Sequence, residues 1–151
     1  MDDLNWAEQV SQKIRLVSAG LEKKQLNQFK VNFLKRVVKR VDEYSQSGCS
    51  ECENRKVEVS KLIGMLVDER NQEPTDFATY ESTLKQITNH LEKEHQLIED
   101  GAYMMKWLII GLIAGAAFIS QYAGSVGIGL SLGIIIGTIL DNNAKKAGKV
   151  I

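Results

Sequence analysis

Proline occurs once, cysteine twice and histidine twice in 151 residues, and no charged residue lies between Trp107 and Leu140. Each scarcity excludes something. A 34-residue run without Asp, Glu, His, Lys or Arg argues against proton relays, coupled transporters and voltage sensors, which place ionisable groups at membrane depth. Nowhere does a period-2 alternation mark a strand. There is no Ser/His/Asp set, no phosphate-cradling glycine loop followed by lysine and no open metal site, so no enzymatic reaction is legible. Met1-Asp2-Asp3 is the reverse of the basic start of a cleaved signal peptide.

The formal net charge of zero hides a division. Residues 1–100 hold 18 acids and 15 bases, a net of −3, whereas residues 101–151 hold only Asp141 against Lys106, Lys145, Lys146 and Lys149, a net of +3. An acidic first part offers no electrostatic footprint for phosphate, so nucleic acid is not an expected partner. The uncharged run is too long for one crossing of a ~30 Å hydrocarbon core, which takes about 20 residues, and just enough for two short ones. Ser120-Gln121-Tyr122-Ala123-Gly124-Ser125 is its most polar part. The expectation is a transmembrane helical hairpin, about 104–122 and 125–140, following a small cytoplasmic helical bundle: an all-α protein. A buried hairpin inside a soluble protein would need more than the remaining ~100 residues to cover it.

Lys106, Trp107, Lys145 and Lys146 are the expected lipid-headgroup residues, with Tyr103 and Tyr122 completing an aromatic belt. The loop between the spans carries no Lys or Arg, and both flanks carry them. Positive residues stay inside, which predicts a two-pass protein with both termini cytoplasmic.

The glycines describe a packing surface. Ser125, Gly129, Gly133 and Gly137 recur every four residues, and Gly111 and Gly115 answer them in the first span. Small residues at this spacing let helix backbones approach closely in lipid. The stripe either holds the two spans together or also joins protomers into a homo-oligomer.

Upstream, apolar residues recur at three and four: Trp6, Val10, Ile14, Val17 and Leu21; then Leu26, Phe29, Phe33, Leu34, Val37, Val41 and Tyr44, up to Ser45-Gln46-Ser47-Gly48. Val59, Leu62, Ile63 and Leu66 mark a third helix, which stops before Asn71-Gln72-Glu73-Pro74. Phe77, Tyr80, Leu84, Ile87 and Leu91 mark a fourth, with Thr75 or Asp76 as its cap. Three or four antiparallel helices in ~100 residues make a modest core that gains from a staple. Lys23, Lys24, Lys30, Lys35, Arg36, Lys39 and Arg40 form a basic stretch, either a solvated face or a contact with anionic headgroups.

The soft ligands fall into two pairs. Cys49-x2-Cys52 and His90-x4-His95 have the ligand types and near spacing of a structural Cys2His2 zinc site, although the 37 residues between the pairs exclude a zinc finger. Four protein ligands close the shell, so such a zinc would be structural. Positions five apart on a helix are about 140° apart, so both His reach one ion only if the helix frays or ends between them. Glu51, Glu92 or Glu94 could replace one His. A Cys49/Cys52 redox pair competes, without the strand–turn–helix context of a thioredoxin; a disulfide is disfavoured in a reducing cytoplasm. Chance placement of surface His is the third possibility.

Cys49-Ser50-Glu51-Cys52, the string from Thr88 to His95 followed by Gly101-Ala102-Tyr103, and the ending from Gly133 to Ile151 together resemble a group of small bacterial membrane proteins. Those proteins carry a Cys-x2-Cys/His-pair helical domain and a C-terminal glycine-zipper hairpin. The resemblance covers residues 45–151 and implies a bacterial inner-membrane location. It adds no activity.

Three functions are compatible with these features. A membrane-anchored scaffold or adaptor would oligomerise through the hairpin and present the bundle to a cytoplasmic protein. A pore-forming or membrane-perturbing effector would use the bundle as restraint. A membrane-bound thiol redox protein would use Cys49 and Cys52. The lack of any catalytic constellation favours the scaffold.

Overall fold

The computed structural model describes residues 5–118, 122 and 124–151. Their structure is helical throughout, with only a single isolated β-bridge, and it divides into two compact units, Met1–His95 and Gln96–Ile151.

The first unit holds five helices: α1 (Trp6–Ser18), α2 (Lys23–Gln28), α3 (Val31–Gln46), α4 (Ser50–Arg70) and α5 (Phe77–His95). Their apolar stripes meet in one core, in which Ile14, Leu34, Val37, Val41, Val59, Leu62, Leu66, Ile87 and Leu91 are all essentially inaccessible. Asn5 caps α1 by accepting from the Ala7 amide at 3.0 Å. At α5 the cap is Asp76, whose carboxylate accepts from both the amide and the hydroxyl of Thr79.

The second apolar stretch is two helices rather than one. Phe29 is buried, its ring meets Phe77 and Tyr80 edge-on, and its carbonyl accepts a 2.8 Å hydrogen bond from the Tyr80 hydroxyl. Lys30 follows in the left-handed region, at φ 47°, and the chain restarts as α3. The tertiary partner takes the carbonyl that a continuous helix would have used. Asp42 is a second polar group inside: it receives Lys56 at 3.3 Å and the Gln46 amide at 2.8 Å, linking α3 to α4. On the outer face of α3, Arg36 and Lys39 are exposed, with the Arg36 guanidinium over the Phe33 ring.

The second unit begins at Gln96, ahead of the expected boundary at residue 100. The reason is a pairing between its two ends: Ile98 donates to the Lys149 carbonyl at 2.9 Å, Ile151 donates back to Ile98 at 2.8 Å, and Ile151 is fully buried. Between them run α6 (Ala102–Ala117) and α7 (Ser125–Lys146). The buried Asp141 carboxylate on α7 accepts from the amides of Tyr103 and Met104 at 3.1 and 2.9 Å, supplying the first turn of α6 with the cap that Gly101 cannot give.

Of these two helices only α7, with 22 residues and about 33 Å of length, is long and apolar enough to cross a membrane. α6 ends at Ala117, short of the expected Tyr122, and its 16 residues extend about 24 Å. A clear two-span hairpin is therefore not what the helix lengths give. The expected turn residues Ser120, Gln121 and Ala123 lie outside the described residues, as do Met1, Asp2 and Asp3.

Candidate metal centre

Cys49, Cys52, His90 and His95 converge in the first unit. One ligand atom from each lies within 4.8 Å of all the others. The Cys49 sulfur is 3.5 Å from His90 Nε2, and the Cys52 sulfur is 3.4 Å from His90 Nε2 and 3.3 Å from His95 Nε2. A tetrahedral ion with S at about 2.3 Å and N at about 2.0–2.1 Å would set each S···N edge at about 3.5 Å. The observed edges match that polyhedron, so the four residues could hold one metal ion.

Local sequence explains each position. α3 ends in a turn that only the left-handed region can close, which Gly48 supplies at φ 96°. Gly48 donates to the Ser45 carbonyl and Cys49 to the Tyr44 carbonyl, each at 3.0 Å, the two bonds of a Schellman ending. The same turn makes Cys49 the N-cap of α4, its sulfur accepting from the Cys52 amide at 3.4 Å. Cys52 sits in the first turn of α4, wholly buried. α4 and α5 run antiparallel, so the start of one meets the end of the other.

The His pair solves its angular problem at the helix end. α5 stops at His95 itself, not between the two His, and Gln96 turns into the left-handed region at φ 53°. The rings stand edge-to-face, 5.3 Å apart at 81°, with Cys52 touching both. Sequence reasoning missed Tyr44 here: its ring stacks flat on His95, 3.8 Å between centroids at 16°. Its place in the apolar repeat marked it only as core, and nothing local betrays a contact across fifty residues of chain.

Burial, reinforced by hydrogen bonding and charge from Cys49, pushes the Cys52 thiol up to about 12, so an incoming ion displaces a proton. Burial and the neighbouring His90 hold His95 below the usual imidazole value, which keeps it neutral and ligand-competent. Both cysteines are free. Glu51 is engaged with Arg55 at 2.8 Å and stands outside the ligand group. Cys49, His90 and His95 border an open cavity of about 510 Å³ whose rim also carries Glu51 and Glu94.

The other expected site residues lie in the second unit. Gly111, Gly115, Gly129, Gly133 and Gly137 all lie in the seam between α6 and α7. A Cβ at any of them would come within 3.0 Å of backbone on the facing helix; at Gly115 it would stand 2.7 Å from the Ser125 carbonyl oxygen. Ser125 donates its hydroxyl to the Gly115 carbonyl at 2.8 Å. Lys106 and Lys146 are exposed, Trp107 is half-buried with its carbonyl against Gly133, and Lys145 pairs with Asp100 at 2.7 Å.

Compared with protein families, curated proteins and solved structures, the chain matches none.

Proposed function

We propose that the chain is a membrane-anchored helical scaffold, in which a zinc-stapled bundle is held at the bacterial inner membrane by a two-pass hairpin and offers its surface to a protein partner. One observation carries the reading: burial in the hairpin is inverted. Its buried positions are Gly111, Gly115, Gly133, Gly137 and Asp141, while Ile113, Phe118, Ile128 and Ile135 face outward at 54–65% exposure. Water disfavours so continuous an apolar surface, since monomers rarely expose more than a few hundred Å² of it. In hydrocarbon the arrangement is ordinary, because close glycine packing replaces the hydrophobic drive between helices.

α7 matches the hydrocarbon thickness. α6 falls short by about one turn, a mismatch that bilayer thinning and a snorkelling Lys106 accommodate. With Lys106, Lys145, Lys146 and Lys149 on one side, both termini are cytoplasmic. Two thiolates with two imidazoles suit zinc better than magnesium or calcium, and a closed four-ligand shell makes the ion structural. The seam glycines are covered within the chain, so homo-oligomers form over the outward face, where Gly127 and Ser131 are exposed.

Fractionation and metal analysis test the reading together. The full chain should remain in membranes through an alkaline carbonate wash, and the detergent-purified protein should hold one zinc per chain at a mass above the monomer's. Recovery in the aqueous fraction without detergent would refute the anchor. Metal-free protein with a reversible Cys49–Cys52 disulfide would replace the staple by a redox pair.

A further inference from the structure

We propose that Tyr44 is a positioning residue for the metal centre, a reading that rests on the ion proposed above. Tyr44 lies on α3, which contributes no ligand, yet it reaches both ligand pairs. Its carbonyl accepts the Cys49 amide at 3.0 Å, fixing the turn that aims the first thiol. Its ring stacks on His95 at 3.8 Å and 16°, fixing the plane of the last ligand.

His95 needs such a hold more than the other three. It is the final residue of α5, where the chain turns at Gln96, so its backbone has no further helical turn to anchor it. Metal-bound His is ordinarily oriented by a hydrogen bond from its second ring nitrogen. Among the described residues no acceptor engages Nδ1 of His95, and its ring contacts are Tyr44, His90 and the Cys52 sulfur. The stacked phenol ring therefore does the orienting. The flat stack rests on dispersion and ring overlap, a contact that any aromatic of similar size would reproduce. The Tyr44 hydroxyl is not needed for it.

The test uses the full chain in detergent, with Co²⁺ as probe because thiolate-to-cobalt charge transfer and the ligand-field bands report a tetrahedral S2N2 shell. Substitution at Tyr44 leaves its carbonyl, and hence the hold on Cys49, in place, so side-chain variants isolate the ring. Tyr44→Phe should bind Co²⁺ like wild type with the same spectrum. Tyr44→Met, which keeps the bulk and the helix, should bind about 10-fold more weakly, at the lower end of losses from removing an outer-shell partner. It should also show altered ligand-field bands, while its metal-free stability and helicity stay equal to those of Tyr44→Phe. Equal affinity and equal spectra for the Phe and Met variants would overturn the proposal while leaving the metal centre standing. A wild-type chain that binds neither Co²⁺ nor Zn²⁺ would overturn both.

Discussion

Tyr80 shows how one polar atom can direct a backbone. Its hydroxyl is buried and donates to the Phe29 carbonyl, at the point where α2 gives way to α3. Tyr80→Phe keeps the packing and strands that carbonyl without a donor, which costs about 1–3 kcal/mol. Denaturant unfolding should show that loss with an unchanged m-value. Asp76 works at the surface instead. Its hydrogen bonds from Thr79 hold the carboxyl below the usual aspartate value. A depressed folded value means stability that is present above the unfolded value and is lost as pH falls through the folded one. Asp76→Ala should therefore lower the melting temperature at neutral pH. The gap from wild type should shrink as the pH is brought below the carboxylate range; a constant gap would separate the cap from the charge.

Among the elements, α6 and α7 make the sharpest contrast between glycines of identical chemistry. At Gly133 a Cβ would enter the Trp107 carbonyl, and backbone cannot step aside as a flexible side chain can. Gly127, six residues earlier on the same helix, has nothing within 4 Å. Gly133→Ala should therefore pry the helices apart and cost about 1–3 kcal/mol or more. Gly127→Ala should be neutral or stabilising. Unfolding of the detergent-solubilised protein by SDS, followed by circular dichroism, ranks the two. In the first unit Gly64, exposed in the middle of α4 with open space around it, should gain up to about 1 kcal/mol on replacement by Ala through helix propensity alone.

For the whole molecule, each compact unit carries its own contacts, so an ion held as proposed would act on one of them. If that ion is zinc, free zinc 1,000-fold above its Kd would add about 4 kcal/mol to the unit. A chelator should remove that increment from the Met1–His95 unit, and Cys52→Ser should abolish the response to chelator. The helicity of the hairpin in detergent should not change. Melting curves superimposable with and without chelator in the wild type would mean that no staple exists.

The sequence alone determined that the chain is helical and where its core residues fall, because a 3.6-residue repeat of apolar side chains needs no partner to be read. It also singled out, by type and spacing, the four residues that come together at the candidate metal centre, and the glycines by their period of four. The break at Phe29–Lys30, the end of α5 at His95 and the stacking of Tyr44 were decided only by the tertiary structure. In each case the deciding contact is an atom far along the chain: a tyrosine hydroxyl taking a carbonyl, a sulfur between two rings, a phenol ring against an imidazole. Local periodicity records which face of a helix avoids water. It does not record which particular group will be waiting there, since that is fixed by how the helices come together.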